Sequence, residues 1–270
     1  PGLLTAPKPG GTPLYATPSH FVTYEMLGRI YPHPFIILME QDWYAAIAVC
    51  FRAVTGEHLF KGTAGLFPAM VEMLSSTSPN DPEAFANLFS KLSWVFWSNA
   101  RMELHDKLRQ HRASLSKVKV NLSSQCAEAL KQRIDKRRCS LSEELTALMG
   151  QDAKLGEVAR HLQLSDASSE QIRLLRTTWE MDATDENKQS SLLSDRFREL
   201  EGVTQNFETL EQGRRLMEHW EEGVELLPLL QVLFAQCLGL MYKSDWKGLG
   251  HRRIDWHEAL ADEPSYTQTL

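Results

Sequence analysis

Apolar residues recur every three or four positions along most of the chain, which is the spacing of the buried face of an α-helix. The stretch NDPEAFANLFSKLSW, residues 80–94, is typical, with Phe85, Phe89 and Leu92 on one stripe. Pro82 stands at its first helical position, where the missing N–H has no partner to lose. The pattern therefore predicts a helix that buries an aromatic face.

Two long helices dominate the predicted order. The first begins at Asp81 and runs to about residue 115. The second is NLSSQCAEALKQRIDKRRCSLSEELTALMG, which begins at Asn121 or Ser123 and ends at Gly150. A short connection between two long helices favours an antiparallel helical hairpin.

An earlier stretch, residues 32–56, is apolar on nearly every face; it predicts a helix or a helix pair that ends at Gly56. Helices of this kind are usually buried on all sides, so we expect it in the middle of a larger body. A shorter helix precedes it, and Ser19 is the expected N-cap.

Alternation of polar and β-branched residues is confined to KVKV, residues 117–120, which is too short for a convincing sheet. The pattern therefore predicts an all-α fold. We expect an irregular multi-helix bundle or a degenerate helical-repeat array, with a long helical hairpin.

Composition divides the predicted helices into regions. Residues 1–18 carry five prolines and three glycines and are expected to form an extended arm. A helical core with a basic hairpin is expected over residues 19–182, and the polar stretch DATDENKQSS then marks a boundary. A C-terminal helical bundle over 183–250 and a tail over 251–270 complete the prediction. Because the chain begins without Met, we expect a fragment of something longer.

Charge is unevenly distributed along the chain. The formal net charge of -6 argues against general nucleic-acid binding, which requires a basic surface. Between Arg101 and Arg138, however, eleven Lys or Arg face only four Asp or Glu. A basic segment of this kind is either a solvated helix face or a docking site for an acidic protein surface.

The candidate partner-binding residues come from two regions. If the helix groups the cations near its middle, they form a docking site for a substrate or an adaptor subunit. Two tryptophans bracket KGLGHRRID near the end of the chain, and Trp is enriched at interfaces. The predicted set is Lys131, Arg133, Lys136, Arg137, Arg138, Trp246 and Trp256.

The four cysteines are widely spaced and form no C-x-x-C pair, which favours reduced thiols packed in the core. Reduced thiols are typical of a protein in the cytoplasm or nucleus. The N-terminus lacks the features of a signal peptide, and no apolar stretch reaches the roughly 20 residues that span a bilayer. We therefore expect no membrane partner.

Motifs for catalysis or cofactor binding are absent from the sequence. It contains no G-x-G-x-x-G, no G-x-x-x-x-G-K-[ST] and no G-x-S-x-G, and His257-Glu258 lacks the second histidine of H-E-x-x-H. We predict no catalytic, cofactor-binding or metal-ligating residue. Whether the protein belongs to an enzyme stays open, and a small-molecule enzyme with a helical pocket is the least supported alternative.

Four stretches in order carry a family resemblance: DWYAAIAVCFRAVTG, GLFPAMVEMLSS, NDPEAFANLFSKLSW and QRIDKRRCSLSEELTALMG. They resemble the helical region upstream of the RING in SPRY-and-RING ubiquitin ligases of the Kip ubiquitination-promoting type. More remotely, they are similar to the helical core of the ubiquitin-fusion-degradation U-box ligases. The resemblance covers roughly residues 40–150.

The resemblance implies a non-catalytic α-helical scaffold of a ubiquitin ligase, acting in the ubiquitin conjugation pathway. Such a scaffold positions a substrate or an adaptor relative to a RING or U-box. The clustered zinc ligands of a RING are missing from this sequence, and no U-box can be placed in it either. The alternative is an unrelated all-α protein–protein interaction subunit, such as a secretion, trafficking or effector protein.

Overall fold

A computed structural model of the chain describes residues 13–31, 34–77, 81–151, 168–182 and 188–241. Helices account for most of these residues, so the predicted all-α fold is confirmed. The α-helices are α1 (Tyr24–Ile30), α2 (Pro34–Thr55), α3 (Lys61–Ala64), α4 (Phe67–Ser76), α5 (Pro82–Gln110), α6 (Arg112–Leu115), α7 (Ser124–Gln151), α8 (Ser169–Asp182), α9 (Lys188–Glu218) and α10 (Leu226–Met241).

A single two-stranded sheet is present in this described part of the chain. Strand β1 (Lys119–Val120) pairs antiparallel with β2 (Val224–Glu225), with Lys119 opposite Glu225 and Val120 opposite Val224. The second half of the KVKV stretch therefore does form a strand, because a segment about a hundred residues away in the chain pairs with it.

The chain divides into two compact units, and the division falls between His111 and Arg112. The predicted boundary near residue 182 lies inside the second unit by this division. The reason is that α9, which follows residue 182, packs along both α7 and α8, which precede it. Within its own unit, the long neighbour of α7 is α9; its predicted hairpin partner, α5, belongs to the first unit.

The first unit is built around the aromatic face of α5. Trp97 of this helix is 1% exposed, and its ring stands edge-on to Tyr44 of α2, with 5.4 Å between the ring centroids. Tyr44 in turn stacks on Phe60, with 4.3 Å between centroids. Such aromatic pairs stabilise beyond the area they bury, so this cluster fixes α2 against α5.

Helix starts in the first unit follow ordinary capping chemistry. The Asp81 carboxylate accepts a hydrogen bond of 2.9 Å from the Ala84 amide, which confirms the predicted start of α5. For α1 the cap is Thr23, whose hydroxyl accepts from the Met26 amide, and not Ser19. Ser19 lies instead in a 3-10 turn, Pro18–Phe21.

The proline-rich start of the chain is partly ordered as turns. Residues 1–12 lie outside the described residues, but Pro13–Tyr15 and Pro18–Phe21 form 3-10 helices rather than an extended arm. Thr17 is fully buried there, and its hydroxyl donates to the Gln41 side-chain oxygen of α2 at 3.2 Å. A long-range polar contact therefore fixes this segment on the first unit.

The second unit contains a close helix crossing at Gly213. A Cβ atom built on Gly213 of α9 would lie 2.7 Å from a methyl carbon of Val232 on α10. Only a residue without a side chain allows this approach, so Gly213 sets the distance between the two helices. Apolar residues of α10 then fill the unit, including Leu230 and Cys237, each 0% exposed.

Candidate functional site

The predicted basic cluster lies on α7, and its position on the helix decides which cations are accessible. Successive residues turn an α-helix by about 100°, and the buried stripe of α7 runs through Leu130, Ile134 and Leu141. By this rotation Arg137 and Arg138 flank the buried stripe on opposite sides, while Lys136 lies on the outward face. The five cations are therefore spread around the helix and do not form one patch.

Arg138 makes its contacts with other residues of the same unit. It is 25% exposed, and its Nη2 atom lies 2.5 Å from the Glu211 carboxylate on α9. Its guanidinium also lies over the Phe207 ring, 5.5 Å from the centroid. The pKa of Glu211 is held below its usual value, first by the hydrogen bond from Arg214 and also by the charge of Arg138. Arg138 thus joins α7 to α9.

The remaining cations of the cluster differ in exposure. Arg137 is half-buried and donates to the Ser140 hydroxyl at 3.3 Å, and Arg133 is half-buried as well. Lys131 and Lys136 are exposed. Within the described residues, the two lysines make no ion pair of their own. Trp246 and Trp256, the other predicted partner-binding residues, lie outside the described part of the chain.

A second group of charges lies where α2 ends and α5 ends, and sequence spacing gave no sign of it. Glu57 follows Gly56, which adopts a left-handed φ of 76° and turns the chain out of α2. The Glu57 carboxylate lies 2.5 Å from Lys107 Nζ and 3.4 Å from His111 Nε2. The hydrogen bond from Lys107 is the main reason why the pKa of Glu57 is below its usual range.

A buried carboxylate elsewhere in the first unit has a structural role. Glu103 of α5 is 9% exposed and accepts hydrogen bonds of 2.8 Å from the amides of Gly62 and Thr63 and from the Thr63 hydroxyl. These are unpaired donors at the start of α3, so the carboxylate caps that short helix. All three donors belong to α3, so the Glu103 carboxylate links α3 to α5.

The outward face of α2 carries two of the large apolar side chains that are exposed in the described residues. Its inward face carries Tyr44, Ile47 and Phe51, each at most 1% exposed. On the opposite face, Phe35 is 64% exposed and Val49 is 53% exposed. The sequence predicted burial on all sides of this helix; the structure corrects this, because the core lies against one face only.

The cysteines also differ from the prediction. Cys50, Cys126 and Cys139 are exposed, and only Cys237 is buried. The prediction of core cysteines is therefore wrong for three of the four positions. It failed because an apolar helix context does not determine which face of the helix meets the core.

The chain matches no protein-family model, no curated protein and no solved structure. The resemblance to ubiquitin-ligase scaffolds accordingly stays an expectation that rests on the four sequence stretches. Structurally, those stretches fall in α2, α4, α5 and α7.

The described residues contain neither a metal-binding group of side chains nor a membrane-spanning helix. No three His, Cys, Asp or Glu side chains among them come together in a group able to hold a metal ion. Nor does any helix in that portion of the chain combine the length and apolar character needed to cross a membrane.

Proposed function

We propose that the protein acts by binding other proteins, as the non-catalytic helical scaffold of a ubiquitin ligase in the cytoplasm or nucleus. The observation that carries the proposal is the outward face of α2, which exposes Phe35 and Val49. Val49 lies within one of the resembling stretches, residues 42–56, and Phe35 precedes that stretch. Both side chains lie on the outward line of one helix, and exposed apolar surface of this kind marks a candidate association site. A scaffold works by holding two partners near each other, which raises their effective concentration.

The partner that receives ubiquitin, or its adaptor, is an acidic protein surface in this proposal. Lys131 and Lys136 on α7 are exposed and offer charges for such a surface. Charges of this kind mainly accelerate the encounter of two proteins. Arg138 is not included, because its ion pair with Glu211 occupies it within the second unit.

The test is affinity purification of the tagged chain from its own cells, followed by addition of ubiquitin, ubiquitin-activating enzyme and ubiquitin-conjugating enzyme. We expect a RING or U-box protein in the purified material and ubiquitin chains on a co-purified substrate. The variant Lys131→Glu/Lys136→Glu should reduce substrate capture, and the reduction should be largest at low salt, because exposed charges are screened over about 10 Å at 0.1 M salt.

The matched control is Ala129→Glu, which adds negative charge at another exposed position of α7. Purified material that lacks both a RING or U-box protein and ubiquitin-transfer activity would contradict the ligase assignment. If such material still contained a stoichiometric partner, the alternative would hold, namely an unrelated interaction subunit in secretion, trafficking or effector function.

A further inference from the structure

The exposed seam of α2 has a spacing that reads the same in both directions. Asp42, Ala46, Val49 and Ala53 follow one another at intervals of four, three and four residues; Ala46 is half-buried and the other three are exposed. Phe35, seven residues before Asp42, extends the same line. Residues at these intervals form the contact seam when one helix packs along another. From Phe35 to Ala53 the seam covers about 27 Å of helix.

We propose that this seam binds the same seam of a second copy of the chain, with the two α2 helices antiparallel about a two-fold axis. A two-fold interface must be self-complementary, because both copies use the same surface. If one residue contacts a second residue of the other copy, the second residue also contacts the first across the axis. With the axis between Ile47 and Ala48, Ala46 lies opposite Val49 of the other copy, and Asp42 lies opposite Ala53. The small alanines allow the helix axes to approach to the short end of the usual 8–10 Å range.

Charge argues for a second copy and for the antiparallel direction. Asp42 and Arg52 are both exposed and lie near opposite ends of the seam. In the antiparallel pair Asp42 of each copy meets Arg52 of the other, so one contact occurs twice. A parallel pair would instead bring like charges together, which is destabilising. In the single copy Arg52 reaches only the Tyr15 hydroxyl among the described hydrogen bonds, at 3.3 Å.

The surface on which the proposed function rests is then occupied by a second copy of the chain. Dimerisation through α2 gives the scaffold two α7 helices, each with its own exposed lysines. The acidic partner then binds α7, and the α2 seam serves assembly.

The first experiment measures the mass of the purified full chain by sedimentation equilibrium at concentrations from about 1 to 100 µM, so that a concentration-dependent dimer is detected. We expect a dimer for the wild type and a monomer for Val49→Glu. The matched control is Leu174→Glu on α8, because Leu174 is 57% exposed but lies on another helix. It should leave the dimer intact.

The second experiment exchanges the charges. Asp42→Arg and Arg52→Asp should each raise the dimer Kd at least about tenfold, and the double variant should return it to within about threefold of the wild type. Circular dichroism melts of the variants separate loss of the dimer from loss of the fold. All these positions are exposed, so we expect the melts to change little.

Three other results would overturn the second copy as occupant. A dimer that survives Val49→Glu and both single charge reversals forms elsewhere. A monomeric wild type whose partner capture is lost in Val49→Glu has a different protein on the seam, and the proposed function then survives. A monomeric wild type whose capture is unaffected by Val49→Glu removes both the dimer and the role of this surface in the proposed function.

Discussion

At the scale of single residues, the structure depends on positions whose importance comes from one neighbour. Gly213 must lack a side chain because Val232 lies so close to it. Glu103 is needed because its carboxylate accepts hydrogen bonds from two amides and a hydroxyl. In each case the partner lies at least 19 residues away along the chain. Sequence periodicity places such residues on a face, but it does not show how closely the opposite surface approaches.

Gly213→Ala and Gly202→Ala form a matched pair on α9. At Gly213 the new methyl group overlaps Val232, so we expect a loss of about 1–3 kcal/mol in the free energy of unfolding, despite the better helix propensity of Ala. A Cβ at Gly202 meets nothing within 4 Å, so that variant should gain about 0.5–1 kcal/mol. Urea denaturation measures both, and equal effects would contradict the close crossing.

Trp97→Ala and Trp94→Ala make a second pair, on α5. Trp97 is 1% exposed inside the aromatic cluster, so we expect a loss of about 3–5 kcal/mol in the free energy of unfolding. Trp94 of the same helix is half-buried, and its removal should cost less than half as much. Chemical denaturation compares the two, and a larger effect at Trp94 would reverse the assignment.

At the scale of helices, charged contacts connect elements that the apolar pattern leaves independent. Glu57 after α2 reaches Lys107 and His111 at the end of α5, and Arg138 on α7 reaches Glu211 on α9. The apolar stripes predicted which helices form, and these ionic contacts help to set how helix ends and faces meet. Their partners are 50 or more residues apart, too far for helical spacing to indicate them.

Acid stability tests the contact at Glu57. Its pKa is lowered in the folded protein by Lys107, so the contact contributes fully above the unfolded pKa of about 4.3 and is lost as the pH falls through the folded value. We expect Glu57→Gln to reduce the dependence of stability on pH below about 5. Glu72→Gln, at an exposed position of α4, should leave the dependence unchanged when unfolding is measured from pH 3 to 7.

At the scale of the whole molecule, two helical units carry the surfaces through which we propose that it acts. The outward face of α2 belongs to the first unit, and the lysines of α7 belong to the second. Only some of the predicted cations are exposed, so the surface charge can be changed at those positions with little effect on fold stability. A binding experiment should therefore use variants of the exposed lysines and not of Arg138.

Arg138→Glu and Lys136→Glu change the net charge by the same amount but should differ in stability. Reversal at Arg138 places a carboxylate beside Glu211 and removes the contact with Phe207, so we expect a lowered melting temperature. Lys136→Glu should leave the melting temperature nearly unchanged, because Lys136 is exposed. If the two melting temperatures were equal, Arg138 would belong to the accessible surface after all.

The sequence by itself determined the helices of this protein, because caps such as Asp81 and apolar residues three or four positions apart act within one turn of the chain. It placed α5 and α7 correctly to within a few residues, and with them the all-α fold. Only the tertiary structure decided which cations of α7 face α9, which face of α2 stays exposed and which cysteines are buried. These outcomes depend on contacts between residues far apart in the chain, and local spacing carries no information about how close such residues come.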